Sequence, residues 1–110
     1  MVEQILRETI AKFNRKVGED PKLAEELRGI RKTVQVEVTD GEWYHFVLEN
    51  SKVSELVKGA GQNPDVRIIA SADTLKKLYS GELRPMKAYV TKLVQIKGSI
   101  EDLLRLRKFF

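Results

Sequence analysis

Residues 31–48 read RKTVQVEVTDGEWYHFVL. From Thr33 to Thr39, polar side chains alternate with valine, which is typical of a strand with one buried face. Asp40 and Gly41 then predict a tight turn, and the apolar and aromatic residues after them predict a second strand. The centre of the chain is therefore expected to form a β-hairpin.

The length of the hairpin loop decides which side chains share a face of the sheet. A two-residue loop would place the three valines of the first strand beside Trp43, His45 and Val47. A three-residue loop through Glu42 would place them beside Tyr44, Phe46 and Leu48. We favour this register because the face it forms is more apolar. In either register the second strand is apolar on both faces, which predicts a central strand covered on one side and lining something on the other.

Two helices are predicted upstream of the hairpin. Apolar residues recur at helical spacing over residues 2–17, which predicts an amphipathic helix that ends near Gly18. Asp20 can cap a second, short helix, with Pro21 in its first turn and Gly29 at its end. The chain therefore begins with helices and continues into a sheet.

Strands and helices also alternate after the hairpin. Strands are predicted over residues 51–58, 66–70 and 93–97. A helix is predicted between its cap Ser71 and its end at Gly81, and a short helix opened by Pro85 runs from Met86 to Thr91. Ser99 caps the last predicted helix. We therefore expect an α+β fold in which a five-stranded, largely antiparallel sheet is covered on one face by about five helices. Residues 1–110 are expected to form a single domain.

The composition is that of a folded globular protein. Charged residues make up 33% of the chain and hydrophobic residues 42%, and no apolar run approaches the ~20 residues of a transmembrane helix. The first residues lack the basic and then apolar segments of a secretory signal, so we expect a cytoplasmic location. A cysteine-free chain rich in lysine and glutamate fits a prokaryotic source, including a thermophilic one.

Few residues suit catalysis or metal binding. The chain has no cysteine and one histidine, which excludes disulfides, zinc clusters, thiol nucleophiles and a His-rich metal site. His45 lies in mid-strand, where a packed role is favoured over that of a general base. Glu101 and Asp102 are adjacent and point about 100° apart on a helix, so they cannot act as a facing pair. We expect a binding protein that uses no cofactor, not an enzyme.

The net charge of +4 is unevenly distributed. From Lys76 to the end there are nine Lys or Arg residues against three acids. Such a surface can attract nucleic acid, anionic head groups or a phosphorylated ligand, but we favour a solvated surface. Nucleic acid is not expected as a partner, because the aromatic residues of this region occupy helical positions and do not alternate along strands.

Residues 72–98 read ADTLKKLYSGELRPMKAYVTKLVQIKG. The motifs GEL at 81–83, PMKA at 85–88 and IKG at 96–98 resemble, in order and spacing, those of the sterol carrier protein 2 family of lipid-transfer domains. The likeness includes Pro-Asp-Val at 64–66 and the order of two helices followed by a hairpin upstream. It covers essentially the whole chain, strongly from Asp65 to Leu106 and only by pattern before it.

This resemblance implies an apolar tunnel between the sheet and the helices, which would hold a fatty acid, an acyl-CoA ester, a sterol or a related lipid without transforming it. An ordinary core is the alternative interpretation of the same residues. An empty cavity of ~300 Å³ would cost roughly 7 kcal/mol, so a tunnel is expected to be filled, hydrated or partly collapsed. The expected lining residues are Tyr44, Phe46, Leu48, Leu75, Leu78, Tyr79, Met86, Tyr89, Val90, Leu103, Leu104 and Leu106.

The chain also departs from the family pattern. It ends Lys108-Phe109-Phe110, where peroxisomal members carry a small-basic-leucine address, so sterol is not expected as the native ligand. The two phenylalanines suit transient membrane contact or a dimer, and equally a fold back over the core. We expect a monomer or weak homodimer. The alternative function is that of an accessory or dimerisation module for a partner enzyme, for example in isoprenoid-quinone metabolism.

Overall fold

The hairpin of the computed structural model has the predicted register. Strand β1 (Arg31–Val38) pairs antiparallel with β2 (Trp43–Glu49). Val34 lies opposite Phe46 and Val36 lies opposite Tyr44, so the valines share a face with the aromatic residues, as the three-residue loop predicts. The structure describes residues 2–99 and 101–102.

Four further strands extend the hairpin into one mixed sheet. They are β3 (Lys52–Val53), β4 (Val57–Lys58), β5 (Val66–Ala70) and β6 (Val94–Gly98). The strand order is β3-β2-β1-β5-β6, and β4 also pairs with β2. Only the β1–β5 pair is parallel, which confirms a largely antiparallel sheet for the described residues.

The single strand predicted over residues 51–58 was wrong, because a β-bulge divides it into β3 and β4. Five residue steps from Val53 to Lys58 face four steps from Tyr44 to Leu48. Ser54 N donates a hydrogen bond of 2.8 Å to Val47 O, and its hydroxyl accepts one of 2.9 Å from Val47 N. The strand is interrupted here so that Leu56 can turn into the core.

The helices begin at the predicted caps. They are α1 (Val2–Glu19), α2 (Pro21–Glu26), α3 (Ala72–Ser80) and α4 (Pro85–Val90). The Asp20 carboxylate accepts from the first backbone amides of α2, and Ser71 Oγ accepts from Thr74 N in α3. Ser99 Oγ accepts from Asp102 N at 3.1 Å, which confirms the start of the last helix. Helix α1 runs two residues beyond its predicted end because Gly18 stays helical.

Three apolar clusters fill the space between the sheet and the helices, which cover one face as predicted. The α1 cluster contains Val36, Val38, Tyr44 and Leu56, packed against Val2, Leu6, Ile10, Phe46, Ala72 and Leu75. The α2 cluster contains Val17, Leu23 and Leu27, packed against Phe13, Ala24, Ile30 and Leu48. The α4 cluster contains Ala70, Ala88 and Val94, packed against Ile68, Leu75, Leu78, Leu83 and Ile96.

The opposite face of the sheet is polar and is crossed by the loop from Gly59 to Pro64. A Cβ atom at Gly61 would lie 3.2 Å from the His45 ring and 3.2 Å from the Thr33 side chain. A side chain at residue 61 would therefore require the His45 ring and the Thr33 side chain to shift by a few tenths of an ångström. The loop thus packs closely on the face of the sheet that the helices do not cover.

Two glycine-to-alanine substitutions are expected to change stability in opposite directions. Gly81→Ala should lower the free energy of unfolding by about 1–2 kcal/mol, because Gly81 ends α3 at a φ of 86°. Gly18→Ala should raise it by about 0.5–1 kcal/mol, because this exposed helical position has open space around it. Urea titration of both variants measures the difference, and equal effects would contradict the assigned helix ends.

Candidate functional site

Four of the predicted lining residues meet between the sheet and α3. Tyr44 and Phe46 lie in the α1 cluster with Leu75. Leu75 also belongs to the α4 cluster, where Leu78 packs one turn later on α3. Leu75 thus joins the two clusters into a continuous apolar layer, which is the candidate site for an apolar ligand.

The structure places the other described residues of the predicted lining elsewhere. Leu48 packs in the α2 cluster, at the other end of β2. Tyr79 lies at the surface, where its hydroxyl donates a hydrogen bond of 2.5 Å to the Glu8 carboxylate of α1. This bond raises the pKa of Tyr79 and lowers the pKa of Glu8. Leu103, Leu104 and Leu106 lie outside the described residues, and the lining as a whole stays a prediction.

Helix α4 presents apolar side chains on both its inner and its outer side. Ala88 is 0% exposed and packs inward, whereas Met86 is 59% exposed and Val90 is 69% exposed. Tyr89 is also exposed at the surface. Met86, Tyr89 and Val90 were expected from the sequence to line the tunnel, but in this structure all three side chains are exposed. Helical geometry places Met86 and Val90 on the side opposite to Ala88, but the sequence does not show which of the two sides faces inward.

A depression lies between α1 and the β-bulge. It is open to the surface, has a volume of about 230 Å³ and is lined by Arg7, Ile10, Ala11, Asn14, Val53, Ser54, Glu55 and Leu56. The Asn14 amide donates to Val53 O at 3.0 Å and accepts from Val53 N at 2.9 Å. Because these bonds use the amide to hold the β3 edge, Asn14 has a structural role here. The sequence analysis did not find this depression.

A buried carboxylate lies on the polar face of the sheet. Arg67 donates two hydrogen bonds to Glu37, of 2.5 Å from Nε and 2.9 Å from its terminal nitrogen, and Gln35 donates a third of 2.7 Å. Gly61 N completes the network by donating a hydrogen bond of 3.0 Å to the side-chain oxygen Oε1 of Gln35. The Arg67 guanidinium lowers the pKa of Glu37, with a smaller contribution from Gln35. Such a carboxylate stays ionised near neutral pH and is poorly suited to take up a proton.

The histidine of this face is held by the crossing loop. His45 Nδ1 lies 2.9 Å from Gly59 O. This contact is typical of a packed sheet residue. Across residues 2–99 and 101–102 there is no group of three or more histidine or acidic side chains that could hold a metal ion. Nor does any helix in these ranges have the length and apolar character needed to cross a membrane.

The fold and its helical face match a known family. The model of the SCP-2 sterol transfer family matches residues 10–110. The chain belongs to this family. The resemblance noted in the 72–98 segment is thereby confirmed, and the α+β architecture is that of the solved SCP-2 structures.

Several solved structures share the SCP-2 fold with this chain. A sec-alkylsulfatase, Pisa1 from Pseudomonas sp., is 18% identical over 78% of this chain, with a TM-score of 0.60, and the match covers 13% of the sulfatase chain. Palmitated SCP2L2 from Aedes aegypti is 19% identical, with a TM-score of 0.65, over 92% of this chain and 89% of that one. The ubiquinone synthesis protein UbiJ-SCP2 is 18% identical, with a TM-score of 0.58, over 88% and 80%. No curated protein sequence matches the chain.

Acidification is expected to remove the stabilising contribution of Glu37. Its pKa in the folded chain lies below the usual value of 4.5, so the contribution is complete above that value and disappears as the pH falls through the folded pKa. At pH ~7, Glu37→Gln should lower the free energy of unfolding by about 1–2 kcal/mol, since Arg67 keeps 39% of its side chain exposed and solvent screens the pair.

Urea unfolding at pH ~7 and at pH ~3 measures this dependence. The deficit of Glu37→Gln should shrink in acid. Glu25→Gln is the matched control, because Glu25 pairs with Arg28 at a fully exposed site and its replacement should change stability little at either pH. A Glu37→Gln deficit that stays constant with pH would show that the carboxylate charge is not what stabilises the fold.

Proposed function

We propose that this chain is a non-catalytic carrier of an apolar ligand with an alkyl chain, such as a fatty acid or an acyl-CoA ester. Membership of the SCP-2 family supports the proposal, and so does the shared fold with a protein solved in a palmitated form. The bound chain would lie between the sheet and helices α3 and α4, in contact with Leu75 and Leu78. Residues 1–110 would act as one lipid-binding domain in the cytoplasm.

The observation that carries the proposal is the small contact between α4 and the sheet. Ala88 is the one buried side chain of this described helix, and it packs against Ala70 and Val94 of the sheet. A single methyl group makes few contacts, so moving α4 away from the sheet costs little compared with moving a helix anchored by leucine or phenylalanine. The α4 cluster is therefore the place where the core can open for a ligand.

An empty internal cavity of ligand size would strongly destabilise the fold. A cavity of ~300 Å³ forfeits roughly 7 kcal/mol, which rivals the ~5–15 kcal/mol stability of a whole domain. We therefore expect the space to form around the alkyl chain as α3 and α4 move outward. The predicted residues Tyr44, Phe46, Leu75 and Leu78 would then contact the ligand, whereas Met86 and Val90 would stay on the outer side of the moving helix.

Leu75→Gln is expected to weaken fatty-acid binding by about fivefold to 150-fold. The substitution buries an amide without a partner against an alkyl chain, which costs about 1–3 kcal/mol. The measurement is titration with a fluorescent fatty acid, together with native mass spectrometry of the purified chain. Ile30→Gln is the matched control, because Ile30 is also half-buried but packs in the α2 cluster.

Ile30→Gln should lose stability and keep fatty-acid affinity. Equal losses of affinity in the two variants would contradict the assigned ligand position. If the unaltered chain takes up no fatty acid by either method, the carrier function itself is wrong.

An accessory role is the second candidate, favoured by two of the structural neighbours. The same fold forms part of a sulfatase chain and occurs in a ubiquinone synthesis protein. In that role the chain would dimerise with, or serve, a partner enzyme in isoprenoid-quinone metabolism. It would be supported if the chain alone binds no fatty acid yet raises the activity of a purified enzyme of that pathway. Nucleic-acid binding through the basic C-terminal third remains the least favoured function.

A further inference from the structure

The outer side of α4 forms an exposed apolar surface. It consists of Met86, Tyr89 and Val90 of the helix together with Leu93 three residues beyond its end, and Val90 is 69% and Leu93 49% exposed. We call these four residues the α4 patch. Single exposed apolar side chains are ordinary, but four of them within eight residues of the chain are a local concentration of apolar surface that points to a binding role.

The geometry of the helix directs this patch away from the core. At about 100° per residue, Met86 and Val90 lie on the same side of α4 and nearly opposite to the buried Ala88. A surface helix usually has polar side chains in that position. Neither the core nor a ligand beneath α4 explains the patch, because Met86 and Val90 point away from both.

Unpaired cations surround the patch. Arg84 precedes α4, Lys87 lies on its exposed side and Lys92 follows it, and all three are exposed. None of the three forms a salt bridge with any described residue, whereas Arg7, Lys58 and Lys77 are paired with acids. Glu82 is the one acidic residue from residue 82 to residue 97. The surface is therefore apolar at its centre and positive at its edge.

We propose that the α4 patch docks on the surface of an anionic phospholipid bilayer. The four apolar side chains would enter the boundary between head groups and acyl chains, while Arg84, Lys87 and Lys92 contact lipid phosphates. This arrangement suits a lipid surface better than a protein partner. A stable protein interface uses about 20–30 residues on each side, and the patch is one short convex helix with its flanks.

The proposal does not depend on the carried ligand. Vesicle binding can be measured with no fatty acid added, so failure of the docking surface and failure of the carrier function are separate results. It also concerns a surface other than Phe109 and Phe110, which lie outside the described residues.

The first experiment is co-sedimentation of the full chain with phosphatidylcholine vesicles that contain or lack phosphatidylglycerol. We expect binding to the anionic vesicles and much weaker binding to the neutral ones. Raising the salt concentration from ~0.1 M to ~0.5 M should weaken the binding, because it screens the cations. Equal binding to both kinds of vesicle, or to neither, would overturn the proposal.

The second experiment replaces the patch and its charges. The double variant Met86→Ser with Val90→Ser should abolish most of the vesicle binding, and Lys87→Gln should reduce it about fivefold. Val57→Ser and Lys52→Gln are the control variants. They remove an exposed apolar residue and an exposed charge from the β3–β4 edge, and should leave vesicle binding unchanged. Circular dichroism and thermal unfolding check that each variant is folded.

A folded double variant that still binds anionic vesicles as well as the unaltered chain would overturn the proposal. A dimer interface would also overturn it. In that case analytical ultracentrifugation would show that the unaltered chain is a dimer and the double variant a monomer, neither would bind vesicles, and the patch would serve a second copy of the chain.

Discussion

The register of the central hairpin is the constraint on which the rest of the structure depends. Pairing Val34 with Phe46 and Val36 with Tyr44 gives the sheet one apolar face, and places Gln35 and Glu37 on the other. A shift of one residue would exchange the two faces. The helices could then no longer bury their apolar sides, and Glu37 would face the core without Arg67. The helical layer and the polar network both follow from this pairing.

The two faces of the sheet differ in what they contribute to the stability of the fold and to the proposed ligand binding. On the polar face, the bonds among Gln35, Glu37 and Arg67 and the close approach of Gly61 hold the sheet with specific partners. On the apolar face, the α4 cluster depends on small side chains such as Ala70 and Ala88. The proposed carrier function requires α4 to move away from the sheet while the polar face keeps its hydrogen bonds, so that the ligand site forms without loss of the fold.

Much of the fold could be predicted from the sequence because its signals are local. The caps Asp20 and Ser71, the αL glycine at 81 and the period of two in β1 each involve residues close together in the chain. The β-bulge could not be predicted, because it depends on Leu56 reaching a core built from distant segments.

The candidate site was predictable only in part. Leu75 and Leu78 lie where an amphipathic α3 would place them, facing the sheet. Helix α4 is too short for periodicity to show which of its apolar residues face inward, and Ala88 carries little signal of its own. The outward position of Met86 and Val90 therefore became apparent only from the three-dimensional structure.

The most direct test of the central claim is an NMR measurement of contacts between ¹³C-labelled palmitate and the methyl groups of the chain. The proposed carrier site predicts intermolecular NOEs from the alkyl chain to Leu75, Leu78 and Val94. Contacts confined to Leu23 and Leu27 in the α2 cluster, or contacts only to exposed methyl groups, would contradict a ligand site between the sheet and helices α3 and α4.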